Sequence, residues 1–459
     1  MNLHLIVLVV YSLVLMGVGL YIGRRVRGSS DFFVARRQLG PGLIFSTMLA
    51  ANIGAGSTVG ATSVGYSAGI AAWWWVGSAA IGSVALALWI GPAMRRVAAA
   101  HDLRTVGDYL EFRYNASVRG IIAALLWIGA IFILAGQLVA IGSILESVAH
   151  IPSTLGCIVG GLVITVYFAA GGLLTSVRVN VIQLAVKLAG FAIALPLAVS
   201  ATGGWNALAG VRADDASYWT FWRTGPPGVM YLASLMPSFI VSPGLLQKVF
   251  GARDDRAVRL GVGLNACGLF AYAIVPALLG IVARGRFPEL SSTNNALPII
   301  LIAVLPPFVG AVGLAAVFSA EISASDAVLF MLTTSLSQDL YKRFVNPAAT
   351  DARQLQVARW TSVVAAAFGI GLAIALGSVV DALTIFYSLL TVSLFVPIVA
   401  GLFVARFASG GALSSIAAGV VVMLIVQFAT GGTGWHMLTP ALAGLLAAHA
   451  AWLISLFVA

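Results

Sequence analysis

Three ionisable side chains interrupt long apolar stretches of the sequence, and each is of a type that binds ions or carries protons. Glu321 and Asp326 stand among Ala, Ser, Val and Phe residues, and Lys187 stands within the apolar run 177–200. A charge in such surroundings loses its hydration, so it is a functional candidate by default. The chemistry indicated is ion binding or proton transfer inside an apolar medium.

The two acids have different surroundings if their segment is helical. At about 100° per residue, Asp326 shares one face with Ser319 and Ser323, whereas Glu321 points almost the opposite way from Ser323. The face with Asp326 therefore offers oxygen ligands to a hard cation. The alternative for both acids is a structural role, in which each fixes its helix through a hydrogen bond.

Membrane-spanning helices must position these residues. The 459 residues are 60% hydrophobic and only 9% charged, which is more apolar than a water-soluble protein of this length. Apolar runs near the roughly 20 residues that cross a bilayer recur along the chain. We predict an all-α polytopic membrane protein with about 13 spans, near residues 3–23, 42–70, 72–93, 120–148, 154–170, 177–200, 228–248, 258–283, 308–338, 358–377, 382–404, 412–430 and 438–457.

The basic residues predict the orientation of these spans. Of the 25 Lys and Arg, twenty fall in the segments that are inside if the N-terminus is outside; four fall in outer segments, and Lys187 lies within a span. This asymmetry predicts a multi-pass protein of the plasma (inner) membrane with its C-terminus in the cytoplasm. Topology and contact with anionic membrane lipid explain the net charge of +10, so no nucleic-acid partner is expected.

Two of the spans are interrupted. AANIGAGSTVGATSVGYSAG (50–69) has five glycines, and MPSFIVSPGLLQK (236–248) has two prolines and a glycine. Such residues weaken a helix, and unwound backbone inside a membrane is tolerated where it is buried in protein or lines a cavity. Tight packing of small residues is the alternative for the glycines alone.

Four unbroken spans separate the two interrupted ones, as in an inverted repeat of five plus five helices. We predict one transmembrane domain over residues 1–459, with a first repeat at 42–200 and a second at 228–404. The segment 1–41 adds one span and an inner loop, and 412–457 adds two spans.

Three motifs, in order, resemble the sodium:solute symporter family: AANIGAGSTVG (50–60), GGLLTSVRVNVIQ (171–183), and AEISASDA with TSLSQDLYKR (within 320–343). The resemblance implies the LeuT-type inverted repeat with one extra N-terminal and two extra C-terminal spans. It implies a secondary active transporter, not an enzyme, that takes up a small organic solute by alternating access. Sodium, or a proton, is the coupling ion, and no other cofactor is expected.

The resemblance also implies a cation site between the first broken helix and the eighth core helix. Carried over to this sequence, its ligands are the carbonyls of Ala50, Ile53 and Ala320 and the hydroxyl of Ser323. Where relatives have a second hydroxyl residue, this chain has Ala324, which offers no side-chain oxygen.

A carboxylate differs as well. Asn180 stands where relatives have an aspartate, and Asp326 stands where relatives with a second sodium site have a hydroxyl. Our hypothesis is that the carboxylate has moved across the cavity, so that Asn180 and Asp326 face each other around a cation or a proton.

Lys187 raises a different possibility for the cation site. It lies seven residues beyond Asn180, about two helical turns along the same face. Some transporters of the same broad fold that are not driven by sodium place a basic side chain of the fifth core helix in the cation site, and this chain resembles that arrangement. Lys187 would then replace the cation or carry a proton; a lysine that snorkels or forms a static ion pair is the alternative.

Six residues are candidate walls of the solute site: Asn52, Ser57, Trp75, Ser242, Gly244 and Gln247. The second break, SPGLLQK, resembles the proline and organic-acid branches of the family more than the sugar branch, so a small amino acid or carboxylate is favoured. Trp75 and its two tryptophan neighbours are alternatively an interfacial belt.

Two other functional classes remain as alternatives. A transporter-like sensor module would need a signalling partner, and a channel fits two broken helices with buried ionisable groups less well than a carrier does. An enzyme is not supported, since the histidines are scattered and no HExxH motif occurs.

Overall fold

The computed structural model describes residues 3–23, 37–223 and 228–458; within these ranges the described side chains exclude 15, 16, 18–23, 167, 169–180, 351 and 458. Regular structure in the described part is helical, which confirms the all-α class. The helices are α1 Leu3–Gly23, α2 Pro41–Asn52, α3 Ala61–Ala68, α4 Trp73–Ala85, α5 Gly91–Ala100, α6 Val106–Arg113, α7 Ala116–Ala149, α8 Ser153–Ala201, α9 Gly204–Ala209, α10 Tyr231–Val241, α11 Pro243–Phe250, α12 Asp255–Tyr272, α13 Ile274–Arg286, α14 Ala296–Ala303, α15 Pro307–Thr334, α16 Asp351–Leu376, α17 Val379–Phe403, α18 Ser409–Ala429 and α19 Pro440–Val458.

Short irregular helices join several of these elements. Three are π-helical, at Gly56–Gly60, Leu86–Ile90 and Ser335–Val345, and three are 3₁₀ turns, at Gly69–Ala72, Ala216–Trp219 and Thr293–Asn295. π-Helical turns frequently mark functional sites, and the first of them lies at the first broken span.

Every predicted span contains a helix, but the predicted number is not confirmed. Nine helical stretches in the described part are long and apolar enough to cross a membrane. The interrupted spans explain part of the difference, because α2 and α10, with 12 and 11 residues, are each too short to cross alone.

The spans predicted at 154–170 and 177–200 differ from the structure, in which α8 runs over both without interruption. Its 49 residues correspond to about 73 Å of straight helix at about 1.5 Å per residue, which is the length of two crossings. The segment 171–176, between the two predicted spans, is helical and does not interrupt α8.

The helices around the broken spans pack in two groups. In one group α2 packs on α12, α3 on α13, and α4 on both α10 and α12. In the other group α15 packs on α7 and α8, and α16 packs on the same two helices. The helices with the breaks thus belong to one group, and α15, with Glu321 and Asp326, belongs to the other.

The contact between α3 and α13 depends on two glycines. A Cβ at Gly280 would lie 2.4 Å from the carbonyl oxygen of Thr62 and 2.5 Å from the amide nitrogen of Tyr66. A Cβ at Gly65 would lie 2.6 Å from the carbonyl oxygen of Ala277. The backbones touch here, as is common where small residues line helix contacts in membranes.

We expect Gly280→Ala to lower the free energy of unfolding by about 1–3 kcal/mol, because the added methyl must push two backbones apart. Thermal unfolding of the purified protein measures this change. Gly371→Ala is the matched control, since no heavy atom outside its own helix lies within 4 Å of a Cβ there. Equal unfolding temperatures for the two variants would contradict this description of the contact.

Candidate functional site

The first broken span is unwound at a point where another helix passes very close. α2 ends at Asn52, Ile53 has φ −89° and ψ 88°, and helical structure resumes with the π-helical turn Gly56–Gly60. A Cβ at Gly54 would lie 2.4 Å from the Cβ of Ala324 on α15. Glycine is therefore required at 54, and the methyl of Ala324 occupies the place where we expected relatives to have a hydroxyl.

Side chains satisfy the amide groups that the break releases. The backbone N–H of Ala55 donates to Oε1 of Gln137 on α7 at 2.9 Å, and that of Gly54 donates to Oγ of Ser57 at 3.1 Å. Ser57 Oγ in turn lies 2.8 Å from the carbonyl oxygen of Asn52. Ser57, within the break, and Gln137, in the second group of helices, thus hold the unwound backbone.

The freed carbonyls converge on Lys187. Its Nζ donates to the carbonyl oxygens of Ala50 at 2.7 Å and Ile53 at 3.0 Å, and its side chain is 0% exposed. Ser323 Oγ lies 3.2 Å from the same oxygen of Ala50. Ala320 is fully buried on α15, one turn before Ser323. An ammonium therefore binds two of the carbonyls that the sequence predicted as cation ligands.

Two buried carboxyl groups lie on α15, the helix that also carries Ser323. Glu321 and Asp326 are 0% and 1% exposed. Thr58 Oγ1 lies 2.7 Å from Oε1 of Glu321 and 2.9 Å from the carbonyl oxygen of Gly54. The site thus contains one ammonium, two carboxyl groups and a hydroxyl that contacts both an acid and the break.

The predicted pairing of Asn180 with Asp326 stays a prediction. The side chain of Asn180 lies outside the described residues. Asp326 itself does not line the central cavity described below, although Ala324, Ala327 and Val328 of the same helix do.

A cavity lies beside the break, between the two groups of helices. Its volume is about 90 Å³. Five of the six predicted wall residues line it: Asn52, Ser57, Trp75, Ser242 and Gly244. Trp75 is buried and packs edge-on against Tyr231 and Tyr387, so it is a wall residue and not part of an interfacial belt.

The sixth residue, Gln247, is elsewhere. It lines a second cavity with Thr105 and Asp339, and its Nε2 donates to the carbonyl oxygen of Arg104 at 2.9 Å. The two cavities adjoin, because Gly244 and Met331 line both of them. That Gln247 lines the solute site stays a prediction.

Sequence reasoning missed two residues that line the central cavity. Gln137 was one glutamine in an otherwise ordinary apolar span, and a polar residue at that depth was the available signal. Lys248 was counted among the basic residues of the inner segments, yet it lines the cavity. Its place immediately after a proline-broken helix was the signal that could have found it.

Comparisons with known proteins give a consistent result. The family model described as "Sodium:solute symporter family" matches residues 32–419 of the chain. The chain is 27% identical to the sodium/pantothenate symporter of Escherichia coli (strain K12), over 95% of this chain and 93% of that protein. It is 25% identical to the sodium/glucose cotransporter of Vibrio parahaemolyticus, over 93% of this chain and 85% of that protein.

A solved structure resembles the fold over almost its full length. It is the substrate-bound outward-open state of a Na⁺-coupled sialic acid symporter, with a TM-score of 0.81 at 18% identity, covering 99% of this chain and 98% of that chain. At this identity the likeness shows the fold alone, and it confirms the LeuT-type architecture expected from the sequence.

We expect Thr58→Val to reduce the free energy of unfolding by about 1–3 kcal/mol, because the buried Glu321 carboxyl loses its hydrogen-bond partner. Thr58→Ser keeps the hydroxyl and is the control. Denaturation of the purified variants measures both values. If the valine and serine variants were equally stable, the contact between Thr58 and Glu321 would have no energetic weight.

Proposed function

Since the chain belongs to the sodium:solute symporter family, we propose that the ammonium of Lys187 replaces sodium at the broken helix and that a proton is its coupling ion. The chain is a membrane transporter for a small organic solute and not an enzyme. The proposal concerns how a cation drives its transport cycle.

The observation that carries the proposal is the pair of contacts from Lys187 to the carbonyls of Ala50 and Ile53. A sodium ion at this position would bind the same two oxygens. Its Na⁺–O distances would be shorter than the N···O distances of the ammonium. Ala324 supplies no replacement oxygen, and its methyl is against Gly54. A bound sodium ion and a protonated Lys187 therefore exclude each other at this position.

The surrounding groups support a proton as the transported cation. Lys187 offsets the negative charge of ionised Glu321 and Asp326 when it is protonated. Protonation of Lys187 therefore strengthens the contact between the break and α8. Thr58 has one hydroxyl proton, so it can donate to the carbonyl of Gly54 or to Glu321, but not to both at once. A protonated Glu321 would donate to Thr58, which would then donate to Gly54, so that both short contacts become hydrogen bonds. The site thus accommodates protons on both Lys187 and Glu321.

Coupling then follows from differential affinity. In our proposal the helices with the two breaks rock against the group containing α15, and the contacts of Lys187 form in one state and weaken in the other. A proton bound more tightly in one of the two states shifts their populations, whereas equal affinity would shift nothing. The repeats at 42–200 and 228–404, with the N-terminus outside, are the framework we propose for this motion.

For the solute we propose a small amino acid or carboxylate. The central cavity is small in this conformation, about 90 Å³, which favours a small solute.

A second candidate is sodium coupling at another place, and the family favours it. Asp326 could bind a sodium ion there, with Asn180 as a second ligand. Solute transport would then require sodium even though Lys187 occupies the carbonyls of the break.

We expect Lys187→Met to leave the carbonyls of Ala50 and Ile53 without a donor, so that a cation can reach them. The purified variant should gain thermal stability specifically in sodium buffer, compared with choline buffer of equal ionic strength. The wild-type protein should show no such difference. Lys342→Met, at the distal end of the π-helical stretch 335–345, is the control for loss of one lysine charge.

The opposite pattern would contradict the proposal. Sodium-specific stabilisation of the wild-type protein that Lys187→Met removes would mean that the lysine supports a sodium site instead of replacing it.

A further inference from the structure

We propose that the solute carries a carboxylate or similar anionic group, and that the ammonium of Lys248 binds this group in the central cavity. The inference rests on the proposed transport function, because it identifies the charged contact of that same site. It does not depend on which cation drives the cycle.

Lys248 is located within the protein and not at its surface. It lies in the last turn of α11, the helix that follows the second break, and it is one of the residues that line the central cavity. The residue is half-buried, and part of its surface lines the cavity.

The two lysines at the centre of the molecule differ in their partners. Lys187 donates to two carbonyls and has two carboxyl groups nearby. Among the described residues, the ammonium of Lys248 has neither an ion pair nor a hydrogen bond. A partly desolvated ammonium without a partner is costly, so it is expected where a ligand completes the site.

The rest of the cavity wall does not neutralise this charge. The described residues that line the cavity include no Asp or Glu; apart from Lys248, their polar groups are neutral amides and hydroxyls, including those of Asn52, Ser57 and Gln137. A cavity with low-dielectric walls and charge of one sign concentrates ligands of the opposite sign. The central cavity is therefore suited to an anionic group and unsuited to a cationic one.

The aromatic residues complete the description of the solute. Trp75, Phe386 and Tyr387 line the same cavity and offer apolar surface to the uncharged part of a solute. The small volume limits that part to a few carbon atoms. Together these features describe a short aliphatic or small cyclic carboxylate, held at its charged end by Lys248.

A different role for Lys248 is interaction with the carbonyl end of its own helix. Lysine in a last turn is favourable there, because it compensates the partial negative charge of the helix dipole. That role predicts a loss of stability on removing the charge and no effect on solute binding. The two roles therefore separate in a binding measurement.

The experiment measures ligand-induced changes in the unfolding temperature of the full-length protein, first in choline buffer without sodium and then in sodium buffer. The probes are propionate, lactate and proline, each compared with its primary amide. The variants are Lys248→Gln, which removes the charge, and Lys248→Arg, which keeps it. Lys342→Gln, outside the cavity, is the matched control for loss of one lysine.

We expect at least one carboxylate to stabilise the wild-type protein while its amide does not. Lys248→Gln should weaken its binding by roughly ten- to a hundredfold, since a hydrogen bond to a charged group is lost, and Lys248→Arg and Lys342→Gln should retain it. The unfolding temperature without ligand shows whether each variant is folded.

Three results would overturn the proposal: stabilisation by an amide as large as that by its carboxylate, carboxylate binding that survives Lys248→Gln in a folded variant, or no stabilisation by any carboxylate probe in either choline or sodium buffer. Failure of the proton-coupling proposal looks different. In that case a carboxylate would still need Lys248, but its effect would appear only after sodium is added.

Discussion

The contact between the Lys187 ammonium and the carbonyls of Ala50 and Ile53 is the interaction on which the site depends. A helix unwound inside a membrane releases carbonyl and amide groups that no water can satisfy, and each would otherwise cost several kcal/mol. Here the ammonium of Lys187 donates to the released carbonyls, and Gln137 accepts a hydrogen bond from a released amide. The break is therefore stable in this conformation without an added ion.

The other unusual residues follow from this replacement. Once an ammonium occupies the cation position, a second hydroxyl on α15 has no ion to bind, and the small Ala324 allows Gly54 to approach. The protonated ammonium needs compensation, and the buried acids Glu321 and Asp326 both lie on α15. Among the described residues Lys248 has no such compensation, and we propose that it binds the solute.

The sequence predicted these features unequally, for physical reasons. An ionisable residue in a long apolar run stands out at once, so Lys187, Glu321 and Asp326 were found. Pro243 and the glycines of the first break have strong local effects on a helix, so both breaks were found as well. Prediction was incomplete for Gln247, which lines an adjoining cavity, because the direction of a side chain after a break is set by tertiary contacts. It failed for Lys248 because a lysine close to a predicted inner end is also what topology alone requires.

The most direct test of the central claim is the accumulation of a binding carboxylate by proteoliposomes under an imposed gradient of one cation at a time. If Lys187 replaces sodium, an inward proton gradient drives accumulation without sodium, and an inward sodium gradient at constant pH does not. Accumulation that requires the sodium gradient and ignores the proton gradient would contradict the account.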